Sequence, residues 1–181
     1  TPERIASLRA ELGLDKPLVA QYGDWILGLV HGDLGVSAIG GKSVAQQVAA
    51  RAGVTFPLIV LSLLIALAIG LPLGCAAVLT RNPHLRGLFH GIAIVAGAVP
   101  ALWGGLLLIL LFSRGSGLLG LLPAQGFPDD GWSAPMRALA SLILPALTTG
   151  ITAGASIMRY TRAAVGDMAS SQAMDMAMAC G

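Results

Sequence analysis

Residues Leu88–Phe112 read LFHGIAIVAGAVPALWGGLLLILLF. No Asp, Glu, Lys or Arg falls between Arg86 and Arg114. A helix needs about 20 apolar residues to cross a hydrocarbon core of roughly 30 Å, so the stretch predicts a membrane span. Two other runs behave alike: no charged residue lies between Arg51 and Arg81 or between Arg137 and Arg159. The spans are expected near Thr55–Leu79, Leu88–Phe112 and Ala138–Met158. Each Leu, Ile, Val or Phe at a span centre favours insertion by about 0.3–0.6 kcal/mol, and no charge opposes it. Composition agrees: of 181 residues 55% are hydrophobic and 11% charged, against about 25% charged in soluble domains. The expected fold is all-α and polytopic, with three transmembrane helices.

These spans carry more than an anchor needs. Pro72, Pro100 and Pro145 lie within them, and each removes a backbone hydrogen bond. In the middle span Gly97, Gly104 and Gly105 surround Pro100 and Trp103. Irregular backbone at membrane depth is tolerated where it is buried in protein or lines a cavity. Pro100, Trp103 and Gly104 are therefore candidates for a translocation path, with kinked packing helices and no path as the alternative. Gly150 and Gly154 allow close helix packing. Apart from the Cys75 thiol, His90, near an end, is the one ionisable side chain inside a span. Ion-coupled carriers keep such groups in their core, so the energy source is expected elsewhere.

Residues 1–53 are amphipathic. Thr1 suits an N-cap and Pro2 a first helical position. Ile5, Leu8 and Leu12 share a face, and Gly13 ends the helix. Pro17 opens a second helix whose face is Leu18, Tyr22, Trp25, Ile26 and Leu29, fit for a membrane–water interface. Gly32–Gly35 form a turn, and Ser43 with Gln46 predicts a capping box for a third short helix ending near Gly53. Gly35–Ser43, GVSAIGGKS, resembles a phosphate-binding loop only superficially: five residues rather than four precede Gly-Lys-Ser, and no buried strand leads in. It reads as a surface loop.

The loop Thr80–Arg86 is basic with no acid, and Arg159 and Arg162 follow the third span, whereas Ser113–Arg137 contains Asp129 and Asp130. The positive-inside rule places the first loop and the tail in the cytoplasm, with residues 1–53 and the Asp129 loop outside. Cys75 and Cys180 then lie near the reducing side, and no disulfide is expected. Three histidines and two cysteines show no metal-ligand spacing, no cofactor motif or catalytic constellation stands out, and a net charge of +2 without a basic cluster gives no nucleic-acid reading.

The segments LGLDKPLVAQYGDWI, GDLGVS, VPALWGGLLLIL, LPALT and RYTRA, in this order, resemble the DppB/OppB permeases of peptide and nickel ABC importers. The tail, residues 163–181, is methionine-rich and resembles the family's cytoplasmic EAA loop: Asp175, Met176 and Ala177 match its first three positions and Gly181 its glycine. Ala173 and Met178 depart from the aromatic and arginine usual there. The resemblance implies part of a type I importer transmembrane domain (residues 54–162), in the inner membrane and multi-pass, with no enzymatic activity of its own. Asp175, Ala177 and Gly181 would couple it to ABC ATPase subunits. Its other expected partners are a DppC/OppC-type second permease, an extracytoplasmic substrate-binding protein and the bilayer. Substrate stays open between peptides and nickel or other small solutes. Members of the family normally have a span before Thr1 and two after Gly181, so a fragment or a shortened form is expected. The alternative reading is a small helical membrane scaffold, or an inactive permease fragment.

Overall fold

The computed structural model describes residues 2–11, 13–37 and 40–169. Asp175, Ala177 and Gly181 lie outside the described residues, as do Thr1, Leu12 and the side chains of Ile5 and Leu8. The described elements are α1 (Pro2–Glu11), α2 (Leu18–Val30), α3 (Val44–Leu79), α4 (Pro83–Ala98), α5 (Ala101–Phe112), a 3-10 turn (Gly131–Ser133) and α6 (Pro135–Ala169). The chain forms two compact units, Thr1–Gly53 and Val54–Gly181. It is an all-helical, polytopic membrane protein: α3 and α6 are each long and apolar enough to span, and α4 with α5 forms a bent apolar pair, the shape of a broken third span or of a re-entrant loop.

In the first unit, α1 and α2 end by the same device. Gly13 (φ +65°) and Gly32 (φ +81°) take left-handed backbone. Leu14 N–H then reaches Arg9 O at 2.9 Å, and Asp33 N–H reaches Gly28 O at 2.8 Å, each satisfying a helix-end carbonyl. Asp33 Oδ1 accepts from Gly35 N–H at 2.9 Å. The glycine-rich loop closes on itself: Ser37 N–H bonds Lys42 O, Gly41 N–H bonds Ser37 O, and Val44 N–H bonds Gly35 O. These N–H groups serve the loop, consistent with a surface loop. Most apolar side chains of α2 are exposed within the chain, Leu18, Tyr22 and Trp25 among them, while Ile26 is half-buried, and the Tyr22 and Trp25 rings lie 6.0 Å apart.

Two expectations about helix boundaries need correction. The third short helix does not end near Gly53; it continues without a break through α3 to Leu79. The middle span is not one kinked helix over Leu88–Phe112. It breaks at Val99–Pro100, and α4 and α5 diverge by 101°. Pro100 has no N–H to continue the ladder and forces Val99 out of helical backbone; Val99 sits at φ −70°, ψ 120° and Pro100 at φ −57°, ψ 137°. Pro57, Pro72 and Pro145 sit inside continuous helices.

The second unit is organised on α6. Ala138, Leu142, Ala146, Gly150, Gly154 and Met158 are all buried and recur every fourth residue. On α3, Ala66, Gly70, Gly74 and Ala77 are buried. These stripes meet. A Cβ on Gly150 would lie 2.8 Å from Ile65, one on Gly70 2.7 Å from Gly154 O, and one on Gly74 2.6 Å from Thr161. Residue numbers rise together along the seam, so α3 and α6 run parallel and their C-terminal ends lie together. α4 returns along the far half of α6: Arg162 Nη1 lies 3.1 Å from His90 Nδ1, and Arg159 Nη1 donates to Ala93 O at 3.4 Å. Ala77, Ala93 and Met158 pack into a small core where the three helices converge.

Without a hydrophobic drive between helices in lipid, close packing of small residues holds such a seam. Overpacking it costs about 1–3 kcal/mol. Gly70→Val and Gly150→Val are expected to lower stability to denaturing detergent by about that amount. Gly166→Ala, where an added Cβ meets nothing within 4 Å, is the control and should be neutral or slightly stabilising. Equal unfolding midpoints for all three variants would refute the seam.

Candidate functional site

The site lies where α5, α6 and the segment between them meet. The last four carbonyls of a helix have no partner within it, and at a membrane depth each orphan costs several kcal/mol. On α5 the following segment folds back and supplies them. Ser113 N–H bonds Ile109 O, Leu118 N–H bonds Leu110 O, Leu119 N–H bonds Leu111 O, and Leu121 and Leu122 N–H both bond Phe112 O, all at 2.8–3.0 Å. Gly115 (φ +95°) and Gly120 (φ +60°) permit the reversal. A Cβ on Gly117 would stand 2.5 Å from Ser113 N, so the turn closes tightly there. Ser113 is fully buried, with its hydroxyl 3.0 Å from that of Ser116.

Beyond this collar the chain runs through Pro123–Pro128 and leaves a cavity of about 500 Å³. Its walls are Val54 and Leu58 of α3; Ala101, Leu102, Gly105, Leu106 and Ile109 of α5; Ala124–Phe127; and Ser141, Leu142, Leu144, Pro145, Thr148 and Thr149 of α6. Gly105 permits the closest approach of α5 to α6, since an added Cβ would meet Thr148 Cγ2 at 3.3 Å. The polar groups in the walls are few. Ser141 and Thr148 hydroxyls donate to their own helix, at Ala138 O (2.7 Å) and Leu144 O (2.9 Å). They offer the cavity acceptor lone pairs rather than protons.

Where α3 meets α6, Ser62 Oγ and Thr149 Oγ1 lie 2.7 Å apart. Ser62 Oγ also reaches Leu58 O at 2.7 Å, and Thr149 Oγ1 reaches Pro145 O at 3.0 Å. Two hydroxyls carry two protons, so these three contacts cannot all be hydrogen bonds at once.

A second pocket of about 480 Å³ adjoins the first and shares Gln125, Gly126, Phe127 and Ser141 with it. Its rim is charged: Arg114, Asp129 and Arg137 line it, and Arg137 pairs with Asp130. Phe127 lies with its ring centroid 5.5 Å from that of Trp132.

Of the path residues read from sequence, Pro100 forms the α4–α5 elbow, Trp103 is 64% exposed, and Gly104 has only Val99 within 4 Å of an added Cβ. None of the three lines the cavity; their neighbours Ala101, Leu102 and Gly105 do. Asp175, Ala177 and Gly181 lie outside the described residues. The reading from sequence missed Arg114, Gln125, Ser141, Thr148 and Thr149. Hydroxyls inside an otherwise apolar span, as in Leu147-Thr148-Thr149, were the available signal.

Two helices long enough to span, a bent apolar pair and a cavity walled by α3, α5 and α6 make this a helical membrane protein. The chain belongs to the DppB/OppB family of peptide transport system permeases. It is 34% identical over 162 residues to a peptide transport system permease protein of Brucella abortus (strain 2308), covering 90% of this chain and 50% of the relative. It is 34% identical over 184 residues to the dipeptide transport system permease protein DppB of Escherichia coli (strain K12), covering 91% and 54%. The D,D-dipeptide transport system permease protein DdpB of the same organism is 37% identical over 146 residues, covering 81% and 42%. No family model matches the chain. The chain spans about half the length of the curated relatives it matches, which are permease components of transport systems rather than enzymes.

Polar links between membrane helices are worth about 0.6 kcal/mol on average. A double-mutant cycle of Ser62→Ala and Thr149→Val, read by detergent unfolding, should give a coupling of about that size. Coupling above about 2 kcal/mol would mean that the seam depends on the hydroxyls and not on its glycines.

Proposed function

We propose that this chain forms membrane-spanning helices of the permease subunit of an ATP-driven peptide importer. The observation that carries the reading is its alignment, across nine-tenths of its length, with permeases named for peptide and dipeptide transport. The cavity between α5 and α6 gives such a function a physical setting, and the relatives' names favour peptides over nickel. Hydrolysis would occur in partner ATPase subunits. A second permease subunit would complete the path, and an extracytoplasmic binding protein would deliver substrate.

The chain would lie in the inner membrane and cross it several times. The basic loop Thr80–Arg86 and the pair Arg159 and Arg162 share one end of the second unit, because α3 and α6 run parallel. The positive-inside rule assigns that end to the cytoplasm and the Asp129 loop to the outside. Residues 1–53, preceding the first of these spans, would be extracytoplasmic, and residues 163–181 cytoplasmic. Single cysteines in a cysteine-free background test this in intact cells. A membrane-impermeant thiol reagent should label positions 129 and 133 but not 84; labelling at 84 alone would invert the orientation.

Coupling to the ATPase would run through Asp175, Ala177 and Gly181, by their match to the EAA pattern. A helix seated in a partner's groove loses about 1–3 kcal/mol when overpacked, or roughly five- to hundredfold in affinity. In the full-length protein assembled with its partners, Ala177→Leu and Gly181→Leu should insert normally yet lose ATPase co-purification and substrate-stimulated hydrolysis. Retention of both would remove the coupling assignment.

A further inference from the structure

We infer that the two adjoining pockets are one amphiphilic binding site for the free termini and an apolar side chain of a short peptide. Arg114 would read the α-carboxylate and Asp129 the α-ammonium. The inference rests on the permease reading and deepens it. Arg114 is held in place by the collar: its Nη2 donates to Leu121 O at 3.1 Å and its own N–H to Leu122 O at 2.7 Å. That leaves most of its guanidinium donors for a ligand. Among the described residues it has no carboxylate at ion-pair distance, whereas the other rim arginine, Arg137, is neutralised by Asp130. Asp129, on the same rim, likewise has no cationic partner among the described residues. One uncommitted cation and one uncommitted anion therefore face a single pocket.

The pocket adjoins, at Gln125, Gly126, Phe127 and Ser141, a cavity whose walls are mostly aliphatic. Ligand sites typically hold about 300–1,000 Å³, and each of these volumes falls in that range. An extended dipeptide spans about 7 Å between its ends; in the proposed pose both termini stay at the rim while a side chain enters the apolar compartment. A lone anion would leave Asp129 repelling it, and a purely apolar ligand would leave the rim charges unused. A zwitterion with an apolar substituent uses all of them. Arg suits the carboxylate because its planar fork can bind both oxygens.

Trp132, its ring tilted against that of Phe127, provides a reporter. In the full chain in detergent, with Trp25→Phe and Trp103→Phe, titration with Ala-Phe should change the Trp132 fluorescence saturably. Amidating the peptide's C-terminus, or Arg114→Gln, should weaken binding roughly tenfold or more, the loss of one charge-assisted hydrogen bond. Combining the two should cost little more than either alone. N-acetylation and Asp129→Asn should behave as the matching pair. Equal affinity for free and doubly blocked peptide, or unchanged binding in both variants, would overturn the site. Peptide uptake by the assembled transporter separates the two readings. Uptake that persists with no terminus-dependent binding sinks this site but leaves the permease; a correctly assembled complex that takes up no peptide sinks both.

Discussion

The seam between α3 and α6 governs the second unit, and its geometry follows from a repeat of four residues on a helix of 3.6 per turn. Each step of four advances the contact stripe by about 40° around the axis. From Ala138 to Met158 the stripe winds through about half a turn. That rotation lets one helix meet several partners in succession. At Leu142 it lines the cavity that α5 also walls, at Gly150 and Gly154 it receives α3, and at Met158 it joins Ala77 and Ala93. A stripe following the true helical period would have buried one side only. Glycine is required where two backbones nearly touch, as where Gly70 meets the carbonyl of Gly154.

A membrane interior punishes unpaired backbone groups, and the same rule accounts for the rest of the unit. Along α6 the pairing is internal. At the end of α5 it cannot be, and the Leu-Gly-rich segment Gly115–Leu122 supplies the missing donors one carbonyl after another. The exposed leucines of that segment, Leu118, Leu119 and Leu121, thus belong to a stretch whose main chain is committed to a helix end. Arg114 inherits a fixed position from this collar, so the charge at the pocket rim is a by-product of a backbone requirement.

The apolar stretches were legible in the sequence because they depend on composition alone: charge-free runs between Arg51 and Arg81, Arg86 and Arg114, and Arg137 and Arg159. The packing glycines Gly150 and Gly154 were legible for the same reason, their spacing. Gly53 as a helix end and Pro100 as a mere kink were not. A single glycine costs a helix only about 1 kcal/mol, which a long apolar helix easily outweighs, so α3 runs through it. Proline costs more, yet Pro57, Pro72 and Pro145 are absorbed and Pro100 is not. Local sequence does not separate these outcomes. At Pro100 the chain has Val99 in extended backbone and contacts to α6 on both sides of the break. The cavity was invisible for a related reason: its walls come from four separated stretches, and only tertiary structure joins Leu58 to Gly105 and Phe127.

The break at Pro100 and the cavity are one feature. A straight helix over residues 88–112 would carry a single face and present it to α6 along its whole length. With a turn of 101° between them, α4 takes the arginine end of α6 while α5 meets it near Thr148 in a direction of its own. The close contact is at Gly105, and the space on either side must be closed by something else. The segment Ala124–Phe127 closes it on one side and Val54 and Leu58 of α3 on another. Trp103 and Gly104, read from the sequence as path residues, belong to the part of α5 that the same rotation turns away from this space.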